Sequence, residues 1–227
     1  MTRRRRVAVG AGAGAALGIM MLAPWGLRHL GFFQVRQLEL EGLRHLAPAR
    51  VVEALALERD QNLFDPLGPV EARAEALAGV VSARVERRLP GTLRVTIVEQ
   101  QAIAFAPGSD GLVALDGDGR PLPYDPAATG LDLALVRRAD PAVLGTLARI
   151  QAADSTLYQA IDAASRGRDG AVNVELGQRR LIVRAMPTRD EVRAVGAVRR
   201  HLTATGRPYL ELDASYAGWV IARRGRS

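Results

Sequence analysis

Histidine, cysteine and serine are the residues that would carry nucleophilic or metal chemistry, and none of them occurs in a catalytic spacing here. The 227 residues include three histidines, His29, His45 and His201, and no cysteine. No H-x-x-x-H, H-E-x-x-H or Gly-x-Ser-x-Gly segment is present, so the sequence indicates neither a metal site nor a nucleophile–base pair. Carboxylates are numerous, and folding alone decides whether two of them meet as an acid–base pair. We expect a protein that is not an enzyme, with no catalytic residue, metal or cofactor.

Two glycine-containing segments have the composition of ligand loops. Asp116-Gly117-Asp118-Gly119 could begin a calcium loop, but the twelve-residue ligand pattern with its closing glutamate is missing. Gly10-Ala11-Gly12-Ala13 is no dinucleotide loop, because no strand precedes it and no acidic residue follows at the required distance. The first segment is therefore predicted to be a turn.

The formal charge of +7 would suit a nucleic-acid partner, but its distribution excludes one. The excess lies in residues near the two ends of the sequence: Arg3, Arg4, Arg5, Arg6, Arg223, Arg224 and Arg226. The remaining basic residues number 24 and are balanced by the 24 acidic ones. For Arg3 to Arg6 the expected partner is the anionic lipid of a membrane surface.

Val7 to Leu27 is an uncharged apolar segment that organises the rest of the chain. As a helix it would be about 31 Å long, which matches a hydrocarbon core about 30 Å thick. A cleaved signal peptide is the alternative, although the segment is longer than the usual apolar region and Pro24 disfavours cleavage after Ala23. Arg3, Arg4, Arg5 and Arg6 are the topology determinants, since positive residues stay in the cytoplasm. Everything after the anchor would then be extracytoplasmic.

Gly10, Gly14 and Gly18 recur every four residues within this segment. This spacing places them on one helix face, where small residues allow two transmembrane helices to approach closely. A Gly/Ala-rich composition would also produce the spacing by chance. Helix packing through the three glycines is therefore one of two open interpretations.

Periodicity predicts a β-α-α-β-β unit from Phe33 onward. A strand with one bulge is expected over Phe33–Leu40, ending at Gly42. Two helices, introduced by Pro48 and Pro69, are expected to turn apolar residues inward: Val51, Val52, Leu55 and Leu57 in the first, and Val70, Ala74 and Leu77 in the second. Two alternating strands follow, with Val81, Ala83, Val85 and Leu89 on one face of the first and Leu93, Val95 and Ile97 on one face of the second. A type II turn at Pro90-Gly91 would join them.

The residues in these strands and helices also carry a family resemblance. Phe33-x-Val35-x-x-Leu38-x-Leu40-x-Gly42 and Leu77-x-x-Val80-x-x-Ala83-x-Val85-x-Arg87-x-x-Pro90-x-x-Leu93-x-Val95-x-x-Val98-Glu99-Gln100 follow a single anchor. This arrangement resembles the POTRA domain of the FtsQ/DivIB family of bacterial cell-division proteins. The order and spacing match over about 65 residues.

Residues beyond 100 predict a strand-rich domain with one or two helices. Expected there are a hairpin of Ala102–Ala106 with Leu112–Asp116, a helix after Asp140-Pro141, and paired strands at Val172–Leu176 and Leu181–Val183. Thr188 and Glu191 form a capping box that begins a further helix. The last two strands are expected at Tyr209–Leu212 and Tyr216–Ile221. This order resembles the C-terminal β-domain of the same family.

The expected fold class is α+β, divided along the chain into six parts. These are a cytoplasmic tail (1–6), a transmembrane helix (7–27), a juxtamembrane linker (28–32), a POTRA domain (33–100), a C-terminal β-domain (101–222) and a basic tail (223–227).

The resemblance implies a single-pass type II protein at the division septum, acting as a scaffold that influences septal peptidoglycan synthesis. It implies partners among the small single-pass division proteins of the FtsB/FtsL (DivIC) type and other division proteins, with no small-molecule substrate. We expect a partner segment to pair with the free edge of the final strand. The expected partner-binding residues are Asp213, Ser215, Tyr216 and Trp219, the first two by position in the family and the aromatics as hot spots. A core position is the alternative for Tyr216 and Trp219.

A second reading is a POTRA-bearing secretion or outer-membrane assembly factor that handles clients by strand addition. It predicts tandem POTRA repeats and a C-terminal series of barrel strands. A single repeat is visible, and about 120 residues are too few for a sizeable barrel. A membrane-tethered hydrolase would need a nucleophile that the sequence does not offer.

Overall fold

The computed structural model describes residues 33–224, with the exception of residues 59 and 168. Among these residues, no helix combines the length and apolar character needed to cross a membrane. The expected anchor, with Arg3 to Arg6 and Gly10, Gly14 and Gly18, lies outside the described residues. The described chain forms two compact units, of which the second comprises Arg44–Leu46 and the residues from Glu99 onward.

The first unit has the predicted β-α-α-β-β order. Its sheet has the order β1-β3-β2, with β1 parallel to β3 and Leu38 and Leu40 opposite Leu93 and Val95. A parallel neighbour requires a long crossover, and the two helices together with β2 supply it. The elements are β1 (Gln37–Glu41), α1 (Pro48–Leu55), α2 (Gly68–Glu75), β2 (Val80–Arg88) and β3 (Thr92–Glu99).

The core of this unit forms where the helix faces meet the inward side of β3. The predicted inward residues of β3 are all buried, as are the centres of both helix faces: Leu93, Val95, Ile97, Val51, Leu55, Val70 and Ala74. Val52 is exposed, because it lies about 100° around the helix from Val51. Val81 and Leu89 are also exposed, one near the start of β2 and the other beyond its end. These three residues were predicted to face the core, and the structure places them at the surface instead.

Two local predictions around the first unit's turns were wrong. The first strand begins at Gln37 rather than Phe33, whose ring packs edge-on against Phe64 at 5.1 Å. The connection at Pro90-Gly91 is no type II turn, because Gly91 lacks the positive φ that this turn requires. The peptide bond between Leu89 and Pro90 is cis. An added Cβ at Gly91 would lie 2.9 Å from Nε of Arg36 and 3.0 Å from the carbonyl oxygen of Gln34, so the Arg36 side chain would have to move.

The second unit is a nine-stranded sheet with the order β12-β11-β10-β9-β8-β7-β4-β5-β6. The strands are β4 (Ala104–Gly108), β5 (Gly111–Leu115), β6 (Pro121–Leu122), β7 (Leu135–Val136), β8 (Ala163–Arg166), β9 (Val172–Leu176), β10 (Arg179–Val183), β11 (Glu211–Ala214) and β12 (Ile221–Arg223). The helices are α3 (Pro126–Thr129), α4 (Pro141–Ala153), α5 (Ser155–Tyr158) and α6 (Arg189–Ala204). The α+β class is confirmed, and the two four-residue helices were not anticipated.

The long helices α4 and α6 contribute to the core of this unit as predicted. The apolar face of α4 is buried through Val143, Leu144, Leu147 and Ile150. Helix α6 begins with the predicted capping box: Thr188 Oγ1 accepts a hydrogen bond from the N–H of Glu191, whose carboxylate accepts one from the N–H of Thr188 at 2.7 Å. Both reciprocal bonds satisfy amides that a helix start leaves unpaired.

The predicted hairpin and the predicted aspartate turn are both present. Strands β4 and β5 pair through a two-residue connection at Ser109-Asp110, with Gly108 opposite Gly111. Asp116 is buried, and its Oδ1 accepts hydrogen bonds from the N–H groups of Asp118 (2.9 Å) and Arg120 (2.8 Å). The segment is therefore a side-chain-stabilised turn.

Glu99, at the end of β3, binds the loop Arg44–Leu46 within the second unit. Its carboxylate accepts hydrogen bonds from the N–H groups of Arg44 (2.8 Å), His45 (3.0 Å) and Leu46 (2.9 Å), and Oε2 lies 2.9 Å from Nδ1 of His45. Burial opposes the ionisation of this group, but the donors of Leu46, Arg44 and His45 outweigh it and lower its pKa. The carboxylate therefore contributes to stability in its ionised form.

We predict that Glu99→Gln lowers the free energy of unfolding by about 2 kcal/mol at neutral pH, because three backbone donors, one of them on the buried Leu46, lose a charged acceptor. Since the folded-state pKa lies below the ordinary value of 4.5, the contribution is complete above that value and is lost as the pH falls through the folded-state pKa. Urea denaturation at several pH values should show the difference between wild type and variant shrinking in acid. The exposed Glu53 offers a control: Glu53→Gln should cost less than about 0.5 kcal/mol. Equal losses in both variants would contradict this role for Glu99.

Candidate functional site

The two edges of the nine-stranded sheet differ in what they offer a partner. Among the described residues, strand β12 pairs with β11 alone, and no described strand lies along the other side of Ile221–Arg223. The opposite edge strand, β6, has two residues and begins with Pro121, which has no N–H to donate. Short strands and prolines protect sheet edges from pairing. The edge at β12 is therefore the better candidate for strand addition.

Arg223 connects β12 to its neighbour through two carboxylates. Glu211 lies opposite Arg223 in the antiparallel register, and Nη1 of the arginine is 3.0 Å from Oε1 of Glu211. Nη2 of the same guanidinium lies 3.3 Å from Oδ2 of Asp213. Both carboxylates are largely shielded from solvent, but the Arg223 side chain is 59% exposed, so each pair contributes at most about 1 kcal/mol. The arginine thereby fixes the position of a strand that has only three residues.

Asp213 and Ser215, two of the sequence-predicted site residues, bond to each other. Oδ1 of Asp213 accepts hydrogen bonds from the N–H of Ser215 (3.1 Å) and from its Oγ (2.6 Å). The Asp213 side chain is buried, and its other oxygen faces Arg223. This arrangement supports the start of the loop after β11 and leaves little of the carboxylate for a partner.

Tyr216 and Trp219, the other two predicted residues, lie in the loop between β11 and β12 and not on the last strand. The predicted strand over Tyr216–Ile221 is wrong, because regular pairing begins only at Ile221. The N–H of Trp219 donates to the carbonyl oxygen of Tyr216 at 3.2 Å, which closes a four-residue turn. Gly218 occupies the third position of this turn with φ of 79°. That conformation is typical of a type II turn and favours glycine.

The turn exposes both aromatic side chains. Tyr216 is 59% exposed and Trp219 is 73% exposed, so neither is a core residue. Ile221 and Leu210, whose N–H donates to the carbonyl oxygen of Arg223, are also exposed apolar residues. We call Tyr216, Trp219 and β12 together the edge surface.

Sequence reasoning missed Leu210, Ile221 and Arg223 as parts of this region. Alternation would place Leu210 on the same face as the buried Leu212, but Leu210 lies before the start of β11 at Glu211 and is exposed. No sequence signal pairs Arg223 with Glu211 and Asp213, since that contact depends on the register of two strands. The structure therefore enlarges the predicted site around its two aromatic residues.

The histidines of the described chain are not part of a metal cluster. No group of three or more histidine, cysteine or acidic side chains is arranged to hold a metal within residues 33–224. His45 bonds Glu99, and His201 lies in the last turn of α6, while His29 falls outside the described range.

Comparison with known proteins agrees with the resemblance carried by the strand and helix residues. Residues 33–100 match the family model described as a POTRA domain of the FtsQ type. The cell division protein FtsQ of Mycobacteroides abscessus is 28% identical over 218 residues, which cover 88% of this chain and 69% of that relative. The matched POTRA segment contains the β-α-α-β-β unit, and the longer match covers too much of the chain to be confined to that unit. Residues 33–100 thus match a POTRA domain of the FtsQ type, and the chain is similar to this FtsQ protein over most of its length.

Proposed function

We propose that this protein is a non-enzymatic, membrane-anchored scaffold of the division machinery that binds small single-pass partners of the FtsB/FtsL (DivIC) type. Through them it links assembly at the division site to septal peptidoglycan synthesis. The open edge of β12, beside two exposed aromatic side chains, is the observation that carries this proposal. In this proposal Val7 to Leu27 is the anchor, the N-terminus is cytoplasmic and the bulk of the chain is extracytoplasmic. Gly10, Gly14 and Gly18 would contact a partner helix.

Strand addition is the binding mode that the edge surface supports. An extended partner segment would form main-chain hydrogen bonds along Ile221–Arg223 and so add a tenth strand to the sheet. Arg223 holds β12 in place by its ion pairs with β11. Asp213 and Ser215 support the connecting loop through their mutual hydrogen bonds. These residues act by positioning, and the partner contacts the edge and the aromatic rings.

A comparison of the free energies of hydrogen bonding and of apolar burial attributes most of the partner affinity to the aromatic residues. A three-residue edge offers about two outward hydrogen bonds, each contributing a net of about 1 kcal/mol. Association costs at least about 4 kcal/mol in lost translational and rotational freedom, so the strand alone cannot hold a partner. A buried Trp or Tyr removes about 150 Å² from water, which is worth about 4 kcal/mol. Tyr216 and Trp219 are therefore the expected hot spots.

The alternative function, client handling by strand addition at the POTRA unit, fits this chain less well. The edge strand β2 has its central amide already bonded, since the N–H of Val85 donates to Oε2 of Glu71 at 3.0 Å. Farther along the same strand, Arg87 donates to the carbonyl oxygens of Leu63 and Asp65. A client strand would have to displace the Glu71 bond, which favours β12 as the binding edge.

We predict that Tyr216→Ala and Trp219→Ala each weaken partner binding at least about tenfold, because each removes an apolar anchor. Pull-down of FtsB/FtsL-type partners by the full-length protein in detergent would measure this. Leu112→Ala, at an exposed apolar residue on β5, is the matched control and should bind normally. Unchanged binding by both aromatic variants, with circular dichroism showing a folded protein, would rule out the edge surface.

Gly218→Ala should weaken the same interaction while leaving both aromatic side chains in place. The positive φ at this residue is strained for alanine, which costs about 1 kcal/mol locally and shifts the turn to other conformations. Partner affinity should fall several-fold with little change in the global unfolding midpoint. Gly68→Ala, where an added Cβ meets nothing within 4 Å, is the control and should bind like the wild type. If both glycine variants bind alike, the geometry of the turn does not matter for recognition.

A fluorescent fusion of the full chain should concentrate at midcell in dividing cells, because a division scaffold acts where the septum forms. Time-lapse microscopy of the native host measures this directly. A fusion that lacks residues 7–27 serves as the control and should lose envelope association. Uniform envelope fluorescence throughout the cell cycle would contradict a role at the septum.

A further inference from the structure

The nine-stranded sheet has a notch where its shortest internal strand ends. Strand β7 consists of Leu135 and Val136 and runs parallel to both β4 and β8. Phe105 of β4 lies opposite Leu135, yet β4 continues to Gly108, and β8 continues past Ala164 to Arg166. Adjacent strands lie about 4.8 Å apart, so these two strand ends are separated by about 10 Å. In the described chain no strand lies between them beyond β7.

A cavity of about 390 Å³ lies beside this notch, on the side of α4. Its lining comes from the end of β7, the bend that follows, the start of α4 and the end of β8: Val136, Arg137, Arg138, Asp140, Val143, Ala164, Ser165 and Arg166. Val136, Val143 and Ala164 are buried and form an apolar floor. The volume falls within the range of small-molecule sites.

The cavity has more arginine side chains than carboxylates to neutralise them. Three arginines line it, against the single carboxylate of Asp140. Oδ1 of Asp140 accepts a hydrogen bond from Ala142 at the start of α4 and lies 3.6 Å from Nη1 of Arg166. Within the described residues, the guanidinium groups of Arg137 and Arg138 have no ion pair or hydrogen bond. The site therefore carries a net charge of about +2 that faces solvent.

An inserted peptide strand is a poor fit for the same notch. The N–H of Phe105 donates to the carbonyl oxygen of Ala134 on the β7 side, at 2.9 Å. Two residues farther along β4, Pro107 faces the same way and has no N–H to offer. The notch thus lacks a main-chain donor where an added strand would need one. A compact anion accepts hydrogen bonds from side chains, so it does not need this main-chain donor.

We propose that the cavity lined by Arg137, Arg138 and Arg166 binds a phosphate monoester or diphosphate. Guanidinium groups match phosphate oxygens with paired N–H donors. A phosphate monoester carries a charge of about −2 near neutral pH, which balances the net charge of the site. The cavity is several times larger than a water molecule's share of about 30 Å³, so the organic part of an ester also fits above the apolar floor. This site is separate from the edge surface and does not depend on the proposed function.

Isothermal titration of the full-length protein in detergent with glycerol 3-phosphate tests the proposal. We expect saturable binding at pH 7.5 that weakens at pH 5, where the monoester loses its second charge. Arg137→Ala/Arg138→Ala should lower the affinity at least about tenfold. Arg120→Ala/Arg207→Ala, two exposed arginines outside the cavity, is the matched control and should bind normally. Arg137→Lys/Arg138→Lys keeps the charge and should restore part of the affinity.

A second titration, with dihexanoylphosphatidic acid, a lipid whose headgroup is itself a phosphate monoester, distinguishes the sources of the phosphate. Binding of this lipid as tightly as glycerol 3-phosphate, and through the same arginines, would assign the site to a membrane headgroup. Binding of glycerol 3-phosphate alone would assign it to a soluble phosphate. No saturable binding of either probe, equal binding by the alanine variant, or binding of a pentaglutamate peptide in place of both would overturn the proposal.

Discussion

The ion pairs between Arg223 and the carboxylates of Glu211 and Asp213 are the interaction on which the edge surface depends. A strand of three exposed residues buries little apolar area, so its position on β11 cannot come from the hydrophobic effect. Cross-strand charge pairs contribute up to about 1 kcal/mol each, and here one guanidinium serves two shielded acids. Without them, β12 would be held by its main-chain pairing with β11 alone, and the loop before it would be less firmly anchored.

The loop before β12 shows how backbone and side-chain constraints combine. Ser215 is held by Asp213 at one end, and Gly218 permits the turn that closes at Trp219. Because both ends are fixed, two large aromatic side chains can remain exposed without a core to order them. Preorganisation of this kind lowers the entropy lost on binding. Strand β12 has only three residues, so it adds little stability to the sheet, and its outer main-chain groups remain accessible to a partner.

Local patterns in the sequence were enough to predict much of the fold. Alternation identified the inward residues of β3, and the Thr188–Glu191 spacing identified the start of α6, because both signals depend on neighbours close in sequence. The position of β12 could not be predicted, since its three residues carry no alternation and its register depends on β11. Glu99 was visible only as part of a family motif, and its contacts lie more than 50 residues away. Tyr216 and Trp219 were found by type, and the turn that presents them was not.

Interruptions of regular strand pairing generate both of the surfaces that this sheet offers for binding. At β12 pairing stops because the sheet ends, which leaves main-chain groups open beside aromatic side chains. At β7 pairing stops because the chain bends away after two residues. Pro107 has no backbone N–H there to bond an added strand. The first interruption therefore favours an extended peptide and the second an anion held by arginine side chains. The two sites differ in whether a backbone N–H is available to an added strand, and at β7 Pro107 accounts for the missing N–H.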